Sequence, residues 1–164
     1  MYKRQAYSQS TPSSEEAPPI YTEPVTEGGP MSDLKTMYDL IISDLEAALT
    51  LASTSRIDKS YYNKNVIHGI LARVYLTTED YDKAAQNAAA ARVGYPLNAA
   101  QYTNGNSTMS NDEWIWAMPQ RSDQSNYYFG APHSFADHYV TSYAATFFNT
   151  DFTSLFSSTD VRNI

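Results

Sequence analysis

The segment KNVIHGILARVYLTTEDYDKAAQNAAAARVGYP, residues 64–96, constrains the fold most. Apolar residues recur at helical spacing in its first half: Ile67, Ile70, Leu71, Val74 and Tyr75 share one face of a helix over 64–78. After the turn TTED a second helical stretch begins near Tyr81, with the stripe Tyr81, Ala84, Ala85, Ala88 and Ala91. Side chains this small let a neighbouring helix approach closely, and Tyr81 is expected to fill the wider gap beside the turn. Gly94 and Pro96 stop the helix. A helical hairpin is the fold that this pattern predicts.

A third helix is read over 33–52, capped by Ser32 or Asp33. Leu34, Met37, Tyr38, Ile41, Leu45, Ala48, Leu49 and Ala52 follow the helical period, and Thr36, Asp39, Ser43, Glu46 and Thr50 oppose them. Leu40, Ile42 and Leu51 widen the apolar arc, which predicts cover on more than one side. Residues 6–30 carry five prolines and Gly28-Gly29-Pro30, so they read as an extended loop anchored by Ile20, Tyr21 and Val25. Residues 53–62 form a polar connection. Beyond Pro96 the composition shifts to Asn, Ser, Thr and Gly over 98–112, followed by a strand candidate at 113–119, an aromatic loop over 120–150 and a short terminal helix over 151–158. Phe152, Leu155 and Phe156 are expected to face inward in that helix. The predicted organisation is one partial domain, mainly α: residues 31–97 helical, and 98–164 an irregular aromatic region with a short strand.

A formal charge of −7, with no basic stripe, argues against a nucleic-acid partner. No apolar run is long enough to span a bilayer. Cysteine is absent, which excludes disulfides and thiolate metal sites within this chain. The first five residues, MYKRQ, read as a translated adapter scar, with the consequence that the chain is expected to be a piece of a longer one.

Catalytic signatures are lacking: there is no phosphate-binding glycine loop, no Gly-x-Ser-x-Gly elbow and no His-Glu-x-x-His. Ser134, Asp137 and His138 are neighbours in sequence, but a nucleophilic triad is a matter of geometry. His133, Asp137 and His138 lack a fourth ligand for a metal, so no metal and no cofactor is expected. Ligand chemistry points to the aromatics. Fourteen tyrosines against six phenylalanines supply rings that bury a face and keep a hydroxyl. Sugars present apolar CH faces with hydroxyl rims, which rings and polar side chains complement respectively. Trp116, Tyr127, Tyr128, Tyr139 and Tyr143 are candidate stacking surfaces, and Arg121, Gln124 and Asn126 candidate rim donors and acceptors. The competing reading anchors these rings in a core. As a strand, 113–119 is apolar on both faces, with Trp114, Trp116 and Met118 on one and Ile115 and Ala117 on the other. That favours burial for Trp114 and leaves Trp116 open between wall and platform.

Leu71, Ala72, Tyr75, Tyr81, Ala84, Ala91 and Pro96 have a spacing similar to the tetratricopeptide repeat, a helix pair with small residues at the crossing. More specifically, APPIYTEP, MYDLIISDLEAALTL, NKNVIHGILARVYLTTEDYDKAAQNAAAA, NDEWIWAMPQ and TDVRNI occur in an order that resembles the SusD/RagB-like nutrient-binding outer-membrane lipoproteins of Bacteroidetes-type bacteria. The resemblance implies tetratricopeptide-like helix pairs with irregular ligand-binding segments. It implies capture of glycans or oligosaccharides at the cell surface without catalysis, and docking on a SusC-like TonB-dependent transporter. It also implies an outer-membrane location through a lipid anchor whose cysteine is not in this chain. A helical scaffold that binds another protein is the rival expectation.

Overall fold

The computed structural model describes residues 7, 10, 12–100, 109–119 and 149–160. In chain order the elements are β1 (Glu16–Ala17), β2 (Ser32–Asp33), α1 (Leu34–Leu51), α2 (Lys64–Thr77), α3 (Tyr81–Ala91) and α4 (Thr150–Thr153), with a 3-10 turn at Pro12–Ser14 ahead of β1. Two compact units result. Met1–Pro96 with Asp112–Ala117 forms one, and Leu97–Asn111 with Met118–Ile164 forms the other. The fold is mainly α, with tetratricopeptide-like helix packing and one short two-stranded sheet.

Each long helix starts where a short polar side chain can satisfy first-turn amides. Asp33 accepts from the Thr36 amide and hydroxyl, both at 2.8 Å. The Thr36 donors hold its carboxyl below the ordinary carboxylate value. Asn63 accepts from Val66 N–H at 3.1 Å to cap α2, and its own amide donates to Thr54 O. Asp80 accepts from Lys83 N–H at 3.2 Å to cap α3.

Between α2 and α3 the chain reverses in a tight motif. Asp80 N–H donates to Tyr75 O at 2.9 Å and Glu79 N–H to Leu76 O at 3.3 Å. This is a Schellman closure, and it places Glu79 at φ 63°, the left-handed conformation that glycine usually supplies. At the far end of the hairpin, Asn65 Nδ2 reaches the carbonyls of Ala90, Ala91 and Val93 at 3.4, 3.1 and 3.0 Å. The hairpin is thus tied at both ends.

The core lies where α1 crosses this hairpin. Ile67, Leu71 and Tyr75 from α2 and Ala84 from α3 are buried, and Ile42, Leu45, Ala48 and Leu49 of α1, with Ala52 just beyond it, pack against them. Leu71 is 1% exposed. Tyr75 donates its hydroxyl to Glu46 at 2.8 Å, linking α2 to α1, while Lys83 Nζ sits 5.0 Å over its ring.

Several expectations are corrected. Residues 113–119 form no strand. Their backbone contact is Ala117 N–H to Lys59 O at 3.2 Å, so the facing segment is a loop that offers no ladder. Tyr81 does not fill a gap; it is 63% exposed. The stripe of α3 that meets α2 runs through Ala84, Asn87 and Ala91, rotated away from Tyr81, Ala85 and Ala88. Asn87 takes part in that interface because its Oδ1 is 2.9 Å from His68 Nδ1. Leu51 and Leu155 are exposed rather than inward, and Phe152 is 45% exposed with its ring edge-on to Phe156. Tyr21 and Val25 are exposed too. Tyr21 closes its own loop instead, accepting from Gly29 N–H at 2.6 Å.

Candidate functional site

The site is built on the connection between α1 and α2. Its ends meet where Lys64 N–H donates to Ser53 O at 3.1 Å, making residues 53–64 a compact loop of the Ω type. Inside it, Asp58 Oδ1 accepts from both the amide and the hydroxyl of Ser60, each at 2.8 Å, a turn that Asp favours for this reason.

Arg56 organises the loop. Its Nη1 donates to Tyr61 O at 2.9 Å and Lys59 O at 3.4 Å. Its Nη2 donates to the Tyr95 hydroxyl at 2.9 Å and to Ile115 O. One planar guanidinium therefore ties the loop to the segment after α3 and to the backbone beside Trp116.

That arrangement presents two rings. Trp116 and Tyr62 stack with centroids 5.9 Å apart and planes 11° from parallel. The indole N–H of Trp116 donates to Ser60 O at 3.1 Å, so its polar atom is satisfied and the ring is oriented. Trp116 remains 42% exposed and Tyr62 64%. Ile57 and Tyr61 of the same loop are exposed as well. Large rings left in water but fixed in place offer a ligand apolar area at little ordering cost.

Of the sequence candidates, Trp116 resolves toward the surface. Its neighbour Ala117 points inward and is buried, and Trp114 is half-buried. Arg121, Asn126, Tyr127, Tyr128, Tyr139 and Tyr143 lie outside the described residues, as do Gln124, His133, Ser134, Asp137 and His138. Sequence reasoning missed Tyr62 and Arg56. The adjacent tyrosines 61 and 62 in an otherwise polar connection were the available signal for the first. Nothing in sequence marks an arginine whose partners are carbonyls. Asp80 caps α3 and Asp82 lies in its first turn, where negative charge favours the helix N-terminus. Among the described residues no group of three or more His, Cys, Asp or Glu is placed to hold a metal, and no helix is long and apolar enough to cross a membrane.

No family model matches the sequence, and no curated protein does. A solved structure does match. The chain aligns with the crystal structure of a SusD-like carbohydrate binding protein from Bacteroides vulgatus, with a TM-score of 0.60 and 30% identity over 69% of this chain. The chain belongs to the SusD-like family. It spans 25% of the length of that SusD-like structure. Within this SusD-like chain, the Trp116–Tyr62 stack is equipped to hold a flat apolar face by contact.

Proposed function

We propose that this SusD-like chain takes part in non-catalytic binding of glycans or oligosaccharides at a bacterial cell surface, for uptake through a SusC-like TonB-dependent transporter. The observation that carries the reading is the exposed, backbone-anchored stack of Trp116 and Tyr62. A matching structure named as a carbohydrate binding protein supports it. Sugar rings present CH groups to such a surface, and hydrophobic contact supplies roughly 25 cal/mol per Å² of apolar area covered. Arg121 and Asn126 are proposed to contact glycan hydroxyls, and Tyr127, Tyr128, Tyr139 and Tyr143 to stack on sugar faces. Attachment to the outer membrane through a lipid anchor belongs to the same proposal.

Isothermal titration calorimetry of the protein against a panel of neutral and acidic oligosaccharides tests the reading. Saturable binding of one glycan class, weakened about tenfold or more by Trp116→Ala, is the expected result, equivalent to roughly 1.4 kcal/mol. Binding of peptides with no response to any glycan contradicts it and favours the protein-scaffold alternative.

A further inference from the structure

We propose that a cavity in the same compact unit receives the carboxylate of an acidic sugar, so that the glycans bound are uronic-acid-bearing. This rests on the glycan-binding reading above and narrows it.

The cavity has a volume of about 440 Å³ and opens between the start of α2 and the end of α3. That size falls within the roughly 300–1,000 Å³ usual for small-molecule sites. Lys64, Asn65 and His68 line it from α2, Ala90, Val93, Gly94 and Tyr95 from the end of α3 and beyond, and Thr54 from the loop. Among the described residues no carboxylate lines it, in a chain whose net charge is −7. Lys64 is half-buried there. Lys35 pairs with Asp39 and Lys83 with Asp80, whereas Lys64 takes part in no ion pair among the described residues. Two carbonyls of lining residues, Ala90 O and Val93 O, accept from Asn65 Nδ2. A half-buried lysine with no carboxylate beside it among the described residues is suited to an anionic ligand group.

The remaining groups suit a hydroxylated ring. Asn87 Nδ2 donates to Lys83 O at 2.9 Å, which turns Asn87 Oδ1 toward His68 Nδ1. His68 Nδ1 is then the donor in this contact, which leaves Nε2 to meet a sugar hydroxyl. The Tyr95 hydroxyl accepts from Arg56 Nη2 at 2.9 Å and has its own proton to donate. Arg56 touches both this cavity, through Tyr95, and the platform, through Ile115 O next to Trp116. One oligosaccharide is thus offered an apolar surface and a cationic pocket joined by a single side chain.

The test compares an oligogalacturonide with its methyl-esterified form, which differs in charge and scarcely in shape. Calorimetry on the native protein is expected to show about tenfold tighter binding of the acid form, the usual order for one charged hydrogen bond. Lys64→Met and Lys64→Gln are expected to abolish the difference, while Trp116→Ala weakens both forms alike. Circular dichroism of each variant confirms the helical fold. Equal affinity for the two forms in the native protein overturns the proposal, as does discrimination that survives both Lys64 substitutions. Neutral glycans bound through Trp116 without acid preference sink this inference and leave the glycan reading standing. Absence of binding to every sugar sinks both.

Discussion

Trp116 and Tyr62 lie ring against ring, 11° from parallel, although the whole α2–α3 hairpin separates them in the chain. The contact is held by backbone, since Trp116 Nε1 donates to Ser60 O and Ala117 N–H to Lys59 O. Two residues of the 112–117 segment are therefore fixed to two consecutive residues of the loop, which leaves the rings little freedom to collapse inward.

Arg56 carries that arrangement. Replacing it with Met removes every hydrogen bond from its guanidinium to Tyr61 O, Tyr95 Oη and Ile115 O. Hydrogen bonds to charged groups contribute about 1.5–3 kcal/mol each, but water reaches this loop and replaces part of them. A loss of roughly 2 kcal/mol in urea denaturation is expected. Arg56→Lys is expected to recover little, because a point charge cannot bridge acceptors set apart in a plane.

Tyr75 gives the fold an alkaline limit. Burial, and then the hydrogen bond to Glu46, push its hydroxyl from 10.0 up to about 12. A raised acid pKa favours the protonated form in the folded state. Its contribution is complete below pH 10.0 and is lost as pH rises through about 12. Tyr75→Phe is expected to cost about 0.5–1.5 kcal/mol at neutral pH, the usual net value of one hydrogen bond. It should also flatten the fall in stability across that alkaline window, measured by urea melts of both proteins at stepped pH.

Glu79 occupies a conformation that costs a residue with a Cβ roughly 1–2 kcal/mol, with φ at 63°. Glu79→Gly relieves it, and a gain of up to about 1 kcal/mol in stability is expected, since glycine's greater freedom in the unfolded chain offsets part. Thermal melts followed at a helix signal report the outcome. A loss instead of a gain would show that the Glu79 side chain contributes more than the strain costs.

Gly69 offers the opposite case. A Cβ added there would sit 3.9 Å from the Ala91 Cβ, ordinary van der Waals contact. The helix pair is therefore not so close as to require glycine. Gly69→Ala is expected to stabilise the protein by roughly 0.5–1 kcal/mol through helix propensity, with Tm rising accordingly.

Much of the helical part was legible in sequence. The expected spans 33–52 and 64–78 and the start at Tyr81 match Leu34–Leu51, Lys64–Thr77 and Tyr81–Ala91, because each rests on a periodic apolar face and a cap. The rotation of α3 was not legible, since its contact stripe includes Asn87, whose burial depends on His68 across the interface. The supposed strand failed for a related reason. Alternation does put Ala117 in and Trp116 out, but a strand also needs a partner ladder, and the partner is the irregular loop held by Arg56. Of the site, sequence supplied Trp116. Tyr62 became a candidate only once the fold laid it against that ring.

The most direct measurement uses a Trp114→Phe background, in which Trp116 is the one tryptophan. Glycan titration followed by its fluorescence is expected to give a saturable blue shift, with a midpoint matching calorimetry, that Tyr62→Ala weakens. An unchanged emission at a glycan concentration that calorimetry shows to be saturating would contradict the platform.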